Sequence, residues 1–251
     1  MIDLHSHILP GLDDGCRTIE DARGLARLAA SEGVTAIAAT PHVRADYPTR
    51  PERMEERVAE LRRDLAEQGI PVELLHGGEI AVEMLPRLSE DELRRFTIAQ
   101  SGAYLLLEFP YRGWPLELEQ RVFELRASGL TPLLAHPERN GEVQADPTRL
   151  AETVRAGALV QITAASLDGR LGRSSREAAG RLLELRLAHV LASDAHTPEI
   201  RAAGLAAAVE SLTDEALARY LTVEAPASIV AGEPVPEPPS RKPRRRRFLS
   251  L

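Results

Sequence analysis

The sequence predicts one α/β domain, a distorted (β/α)7 TIM-like barrel with a metal site at the C-terminal ends of its strands. Short apolar runs rich in β-branched residues alternate with amphipathic helical segments along the chain. Histidines and carboxylates recur where those runs end. The length of 251 residues also suits one barrel, since such barrels run to ~200–250 residues as a single unit.

Seven apolar runs are predicted as strands. Because helical segments separate them, the sheet should be parallel, with each helix crossing over to the next strand. Periodicity alone does not distinguish a closed barrel from an open doubly wound sheet, and we adopt the barrel as the interpretation. The predicted strands lie near residues 2–5, 34–39, 72–78, 104–108, 131–135, 158–162 and 189–193.

The segment 51–68 has the clearest helical pattern. Its apolar residues Met54, Val58, Leu61 and Leu65 follow one another at spacings of 4, 3 and 4, which places them on one helical face. This helix is therefore expected to pack against the sheet through that face.

Helix boundaries are marked by capping residues and glycines. Thr18 with Asp21 has the pattern of a capping box, and Asp146-Pro147 that of an N-cap followed by proline at the first helical position. Glycine takes the left-handed conformation that ends many helices without steric cost. Four predicted helix-to-strand joints carry it: Gly33, Gly69, Gly129 and Gly157.

A domain boundary is predicted near residue 232, so that the barrel spans 1–232 and a flexible tail spans 233–251. Five prolines between positions 233 and 243 prevent a helix or a central strand there. Such a tail could contact an anionic membrane or an acidic partner, and we favour a solvated tail. Its six cations are Arg241, Lys242, Arg244, Arg245, Arg246 and Arg247.

The charge balance restricts the class of partner. The chain has 31 Lys and Arg against 38 Asp and Glu, a net charge of −7; with the six tail cations set aside, 25 remain and the body carries −13. An acidic body excludes general nucleic-acid binding, which needs a basic surface. It does not exclude a phosphate substrate, because bound metal ions dominate the local field.

A cytoplasmic location is expected. No stretch approaches the ~20 apolar residues of a membrane span. A cleavable N-terminal signal would also remove His5, the first candidate metal ligand.

The metal site is predicted from histidines and carboxylates that follow the predicted strands. His5 and His7 end the first strand two residues apart, and alternate residues of a strand face the same side. Barrel enzymes build their active sites at this end, so the side chains should converge. His76 and His189 are interpreted as structural. The candidate ligands are His5, His7, Asp14, His42, Glu79, Glu108, His136, Asp194 and His196.

The donor types narrow the choice of metal. Five imidazoles, four carboxylates and no thiolate suit Mn²⁺, Fe²⁺ or Zn²⁺. Nine ligands are too many for one ion and suit two or three, with Glu79 as a bridge. Four carboxylates against three divalent ions leave a positive site, which attracts a phosphate dianion.

Single residues exclude several other mechanisms. Lys242 is the only lysine and lies in the tail, which excludes a Schiff-base aldolase and an amidohydrolase with a carbamylated lysine. Cys16 is the only cysteine, so no internal disulfide forms. A cysteine-dependent tyrosine phosphatase needs arginine six residues after its cysteine, and this chain has Ala22 there.

The segment Asp3–Gly15 closely resembles the opening of the bacterial manganese-dependent protein tyrosine phosphatases of capsule and exopolysaccharide operons. These enzymes belong to the polymerase and histidinol phosphatase (PHP) superfamily. Thr40-Pro41-His42, Gly78-Glu79-Ile80, Ala135–Arg139 and Ser193–His196 resemble its later motifs, in the same order over roughly residues 1–205.

The resemblance implies three divalent ions, Mn²⁺ above all. It implies that Arg139 and Arg201 bind the phosphoryl oxygens. The implied substrate is a phosphotyrosine protein, an autophosphorylating tyrosine kinase of capsule or exopolysaccharide synthesis. The implied ligand sets are His5, His7, Glu79 and Asp194 for one ion, Glu79, Glu108 and His136 for a second, and Asp14, His42 and His196 for the third.

The predicted activity is therefore hydrolysis of a phosphomonoester, and specifically of phosphotyrosine. Phe109, Tyr111 and Trp114 follow Glu108 directly, so their loop should border the site. Tyr111 is the candidate to pack against a phenol ring, whereas Trp114 is better explained as an anchor of the loop. Two alternatives stay open: a small-molecule phosphatase such as histidinol phosphatase, and a non-enzymatic metal-bearing docking module.

Overall fold

The computed structural model describes residues 1–198 and 204–240, which form an α/β fold of parallel sheets. The apolar runs of the sequence become its strands because each is buried on both faces, as parallel sheets covered by helices require. The strands are Ile2–Ser6 (β1), Ala36–Ala39 (β2), His42–Val43 (β3), Glu73–Leu75 (β4), Glu79–Ala81 (β5), Tyr104–Glu108 (β6), Thr131–Ala135 (β7), Leu159–Thr163 (β8) and Val190–Ala192 (β9).

Eleven α-helices occur in the part of the chain that the structure describes. The π-helical segment Tyr220–Glu224 joins the last two of them. The helices are Ile19–Ser31 (α1), Pro51–Glu67 (α2), Glu90–Arg95 (α3), Leu118–Ala127 (α4), Gly141–Ala145 (α5), Leu150–Arg155 (α6), Ala164–Leu167 (α7), Arg173–Glu184 (α8), Leu205–Ser211 (α9), Glu215–Arg219 (α10) and Ala225–Ala231 (α11).

The strands pair in two sheets, in the orders β1-β2-β4 and β3-β5-β6-β7-β8-β9. The chain passes from the first sheet to the second twice, from β2 into β3 and from β4 into β5. The predicted strands 34–39 and 72–78 correspond to β2 and β4, and the short strands β3 and β5 follow them, so the described residues contain nine strands where seven were predicted. Pro41 lies between β2 and β3 and has no backbone N–H to donate to a ladder.

The segment after β9 returns to the side of β1. Asp194 N donates to His5 O at 2.9 Å, and His7 N donates to Ala195 O at 2.8 Å. Ser6 also forms a parallel bridge with Ala195. The first and last strands of the chain therefore end beside each other. The residues that follow both strands reach the same place.

The predicted helix signals are confirmed where the structure describes them. The four apolar residues of α2 that share one face are buried, and Thr18 and Asp21 form both hydrogen bonds of a capping box. Asp146 accepts a hydrogen bond from Thr148 N at the start of the 3₁₀ turn Pro147–Arg149. The glycines at the four joints all have positive φ, from 63° to 105°.

The segment after residue 232 is described as far as residue 240. Tyr104 Oη donates to Glu233 O at 2.5 Å, and Val235 packs against the core. The six tail cations lie outside the described residues. Among the residues that the structure describes, no helix combines the length and the apolarity needed to cross a membrane.

His189 lies just before β9, and burial of its ring should make the stability of the protein depend on pH. Val160 N donates to its Nδ1 at 3.1 Å, which requires the neutral ring, and burial lowers the pKa of His189 to about 4. The unfolded chain takes up a proton at this residue below about pH 6.5, but the folded chain does so only near pH 4.

We therefore expect His189 to reduce stability as the pH falls. His189→Asn, whose Oδ1 can accept the same bond, should gain up to about 3 kcal/mol of unfolding free energy relative to the wild type between pH 6.5 and 4. Urea unfolding of both proteins at pH 7, 5.5 and 4.5 measures this difference. A difference that does not change with pH would contradict the assignment.

Candidate metal centre

The structure brings all nine predicted ligands together in overlapping groups. Each follows or ends a strand, except Asp14, which lies in the loop after β1. His42 and Glu79 follow β2 and β4, as predicted, and each also begins a further short strand, β3 or β5. Seven of the nine side chains are buried, Glu108 is half-buried and Asp14 is exposed.

The His5 and His7 rings face each other in the middle of the group, and both lie beside oxygens of Glu79 and Asp194. His5 Nε2 and His7 Nε2 lie 3.2 Å apart. Each of these nitrogens is 3.4 Å from Glu79 Oε2 and 3.5 Å from Asp194 Oδ1. These four atoms are the set that the resemblance implies for one ion.

The spacing of these atoms fits a divalent ion. Ligands at about 2.1 Å from a metal are about 3.0–3.4 Å from one another in octahedral or tetrahedral geometry. The nitrogen–nitrogen and nitrogen–oxygen separations of 3.2–3.5 Å lie at or just above the upper part of that range. The chemistry of the donors fits as well, since imidazole and carboxylate together suit transition metals.

The third implied set is also assembled. Asp14 Oδ1 lies 3.5 Å from His42 Nε2 and 3.4 Å from His196 Nε2, and His7 joins the same group. The set that contains Glu108 differs from the implied one. Glu108 groups with His42 and Glu79, while His136 groups with His5 and Glu79.

A buried oxygen and a buried ring nitrogen face each other in the centre. Glu79 Oε2 and His42 Nδ1 lie 2.9 Å apart, yet neither has a hydrogen-bond partner of ordinary geometry among the described residues. Buried polar atoms left in this way cost free energy unless a proton or a cation lies between them. A metal ion would satisfy the Glu79 oxygen, which also faces the His5 and His7 nitrogens at 3.4 Å.

Two candidate ligands have strained backbones. His136 and Asp194 both have positive φ, 40° and 52°, although neither is glycine. Such conformations cost of order 1–3 kcal/mol and persist where the surrounding structure enforces them, most often at functional sites. The turns after β7 and β9 therefore aim both side chains into the centre at a cost to stability.

Hydrogen bonds from outside the group orient three of the rings. His7 Nδ1 donates to Asp13 Oδ2 at 2.7 Å, His5 Nδ1 to Gln161 Oε1 at 2.9 Å, and His196 Nδ1 to the backbone oxygen of Asp194 at 3.0 Å. Each bond leaves Nε2 as the lone pair that faces the centre.

Asp13 and Gln161 were missed as functional residues from the sequence. Asp13 also accepts hydrogen bonds from His42 N and Gly15 N, so it braces two ligand segments. Burial opposes ionisation of Asp13, but the His7 ring and these bonds lower its pKa to about 2. The signal for Gln161 was present, since it is a polar residue inside the apolar strand β8.

A second buried carboxyl group lies beside the centre. Glu138 accepts hydrogen bonds from Ser166 Oγ at 2.7 Å and from Thr163 N at 2.9 Å, and burial raises its pKa to about 7. These bonds tie the turn that follows His136 to the end of β8 and the start of α7. Glu138 therefore supports the turn that carries a candidate ligand.

Arg139 and Tyr111 lie at the edge of the centre. Arg139 Nη1 donates to Asp194 Oδ2 at 2.8 Å, and its Cζ lies 4.5 Å from the Tyr111 ring centroid. Tyr111 is 45% exposed and stacks on His136 at 5.8 Å. Arg201, the other predicted arginine, lies outside the described residues.

The neighbouring aromatic residues are packed into the fold. Phe109 is buried and meets Trp114 edge to face at 5.5 Å, and Trp114 packs partly buried against the core. These contacts agree with the interpretation of Trp114 as an anchor. Tyr111 is the aromatic residue of this loop that remains open to solvent beside the ligands.

Three comparisons relate the chain to known proteins. The family described as "Capsular polysaccharide synthesis, CpsB/CapC" matches residues 1–231. The tyrosine-protein phosphatase YwqE of Bacillus subtilis (strain 168) is 37% identical over 203 residues, covering 80% of this chain and 79% of that protein. The tyrosine-protein phosphatase CpsB of Streptococcus pneumoniae is 28% identical over 207 residues, covering 80% and 85%.

A solved structure agrees with the sequence comparisons. It is described as YwqE from Bacillus subtilis and CpsB from Streptococcus pneumoniae, "unique metal-dependent tyrosine phosphatases". Its TM-score is 0.86 at 32% identity, covering 96% of this chain and 100% of that chain. The two structures therefore share their fold over nearly the whole length of both chains.

Metal uptake at the centre should stabilise the folded protein. Mn²⁺ at about 100 times its dissociation constant adds ~2.7 kcal/mol, or a rise of about 5–10 °C in the unfolding midpoint at this chain length. His136→Ala should reduce the rise, while His76→Ala, at a half-buried position outside the groups, should keep it. Thermal unfolding of each variant with chelator and with Mn²⁺ measures the rise in midpoint. An equal rise in His136→Ala and His76→Ala would contradict the assignment of His136 as a metal ligand.

Proposed function

The chain belongs to the capsular polysaccharide synthesis family CpsB/CapC, and from this premise we propose that it is a metal-dependent protein-tyrosine phosphatase. The observation that carries the proposal is the convergence of nine imidazole and carboxylate side chains at the strand ends. A docking module would not need such a cluster. The names of the relatives favour phosphotyrosine over a small-molecule phosphate as the substrate.

The centre would hold three divalent ions, with Mn²⁺ as the proposed metal. His5, His7, Glu79 and Asp194 would bind the central ion. Asp14, His42 and His196 would bind a second, and Glu79, Glu108 and His136 would contribute to the third. When bound, such ions stabilise charge on phosphoryl oxygens and supply an activated water molecule at neutral pH.

Arg139 would bind the phosphoryl group. Its guanidinium is held at the edge of the centre by Asp194 and by the Tyr111 ring, so little freedom is lost when it meets an anion. A planar fork matches two phosphoryl oxygens at once. Arg201 is proposed as a second phosphoryl-binding residue on the basis of the resemblance alone.

Tyr111 would select aryl substrates. Its half-exposed ring lies over a candidate ligand and over Arg139, the residue proposed to hold the phosphoryl group. A phenol ring bonded to that phosphoryl group would lie within reach of Tyr111, and such ring pairs contribute ~0.5–1.5 kcal/mol beyond area burial. A phenol, with a pKa of about 10, also leaves with little help from a general acid.

The wider setting is part of the same proposal. The substrate would be phosphotyrosine on a tyrosine kinase of capsule or exopolysaccharide synthesis, and the enzyme would act in the cytoplasm. The seven β/α units would form a closed, distorted barrel of the PHP type, supported by the hydrogen bonds between β1 and the segment after β9. Residues 1–232 would form the catalytic unit, and the basic tail would remain solvated.

The proposed function predicts metal-dependent phosphatase activity. Protein stripped with chelator should lose hydrolysis of para-nitrophenyl phosphate and regain it with Mn²⁺, because the centre provides the nucleophile. A phosphotyrosine peptide should be hydrolysed with a higher kcat/KM than histidinol phosphate. Phosphate release assays measure each rate. Full activity without metal, or a preference for histidinol phosphate, would reject this assignment.

Two substitutions should separate the roles of Tyr111 and Arg139. Tyr111→Ala should raise KM for a phosphotyrosine peptide by roughly 2–10-fold more than for a small alkyl phosphate, since only the former offers a ring. Arg139→Lys should impair both substrates alike, because an ammonium does not reproduce the fork. Steady-state kinetics on both substrates measure this. Equal effects of Tyr111→Ala on the two would leave its ring a purely structural role.

A further inference from the structure

A short hairpin that follows β3 lies against the candidate metal centre. Arg44 N donates to Tyr47 O and Tyr47 N donates to Arg44 O, both at 3.1 Å. Val43 forms an antiparallel bridge with Pro48 just outside this pair. Because the two residues exchange backbone hydrogen bonds, the turn fixes the backbone from which the side chains of Arg44 and Tyr47 extend.

Arg44 reaches from this hairpin to Glu108 at the end of β6. Its Nη1 donates to Glu108 Oε1 at 3.0 Å, and the Glu108 side chain is only 10% exposed. Its Nε donates to Asp46 Oδ1 at 2.8 Å. Asp46 is 64% exposed, so that ion pair contributes orientation rather than much stability. The guanidinium is thus anchored on two sides, once locally and once at a candidate ligand.

Tyr47 connects the same hairpin to His42. Its ring stacks on the His42 ring with centroids 5.8 Å apart and an interplanar angle of 17°. Arg44 Cζ lies 5.2 Å from the Tyr47 centroid on this stack. One hairpin therefore contacts both His42 and Glu108, which form a candidate ligand group with Glu79.

A similar arrangement contacts other ligands of the centre. There Arg139 lies over Tyr111, which stacks on His136, and Arg139 pairs with Asp194. Two Arg–Tyr–His stacks thus contact the centre, and the arginine of each also pairs with a candidate-ligand carboxylate. Arg44 differs in being tied by its Nε to a carboxylate of its own hairpin, which favours a fixed position over movement towards a substrate.

We infer that Arg44 is a positioning residue, which orients the Glu108 carboxylate and, through Tyr47, the His42 ring for metal binding. The inference rests on the proposed function, because it concerns ligands of the proposed ions. Without Arg44, the half-buried Glu108 carboxylate would lose the hydrogen bond that fixes its rotamer. Residues that orient metal ligands typically change metal affinity by 10–100-fold when they are substituted.

Isothermal titration of the metal-free full chain with Mn²⁺ tests this without relying on activity. Arg44→Gln should weaken one Mn²⁺ binding step by about 10–100-fold. Arg44→Lys should fall between Arg44→Gln and the wild type, because it keeps the charge but not the planar fork. Arg23→Gln is the matched control, since Arg23 has the same side-chain exposure of 24% and pairs with Asp64 instead.

The outcomes separate the inference from the proposed function. Wild-type protein that takes up no Mn²⁺ would contradict both. Mn²⁺ binding by the wild type that is equally tight in Arg44→Gln would overturn the inference alone. In that case a raised KM for para-nitrophenyl phosphate would identify Arg44 as a substrate-binding residue instead. Thermal unfolding of each metal-free variant checks the fold, and Arg44→Lys decides the matter if Arg44→Gln does not fold.

Discussion

The site depends on one fully buried carboxylate, Glu79, and on the imidazoles that surround it. Its oxygens lie 2.9 Å from His42 and His136 nitrogens and 3.4 Å from those of His5 and His7. An isolated carboxylate would be too costly to bury in its charged form. Burial opposes its ionisation, but the surrounding rings keep the pKa of Glu79 well below its usual range. Four strand ends must therefore meet at one point for the fold to hold this residue.

This constraint explains the residues around the ligands. A hydrogen bond from one imidazole nitrogen fixes the tautomer that offers the other nitrogen's lone pair to the centre, and Asp13, Gln161 and the Asp194 carbonyl accept such bonds from three rings. The carboxylates of the centre repel one another, so they need positive charge beside them. The guanidinium groups of Arg44 and Arg139 lie beside two of them. Residues around the centre thus orient three of its imidazoles and place positive charge beside two of its carboxylates.

The same arrangement links the metal centre to substrate choice. The Tyr111 ring stacks on His136 and lies next to Arg139 beside the candidate ligands. Aromatic faces and guanidinium groups are the surroundings that an aryl phosphate needs, one for its ring and one for its phosphoryl oxygens. A tyrosine phosphatase therefore fits this centre better than an enzyme for alkyl phosphates.

The sequence alone identified the nine side chains that the structure brings together, because parallel strands place their C-terminal ends on one side and local pattern locates those ends. It also identified the helix caps and joints, such as Thr18 and Gly33, since these depend on neighbouring residues. It did not identify Asp13, Gln161 or Arg44 as parts of the site. These relations join residues 6 to 156 positions apart. Only the tertiary structure decided them, because which ring nitrogen meets which carboxylate depends on how the strands are placed in space.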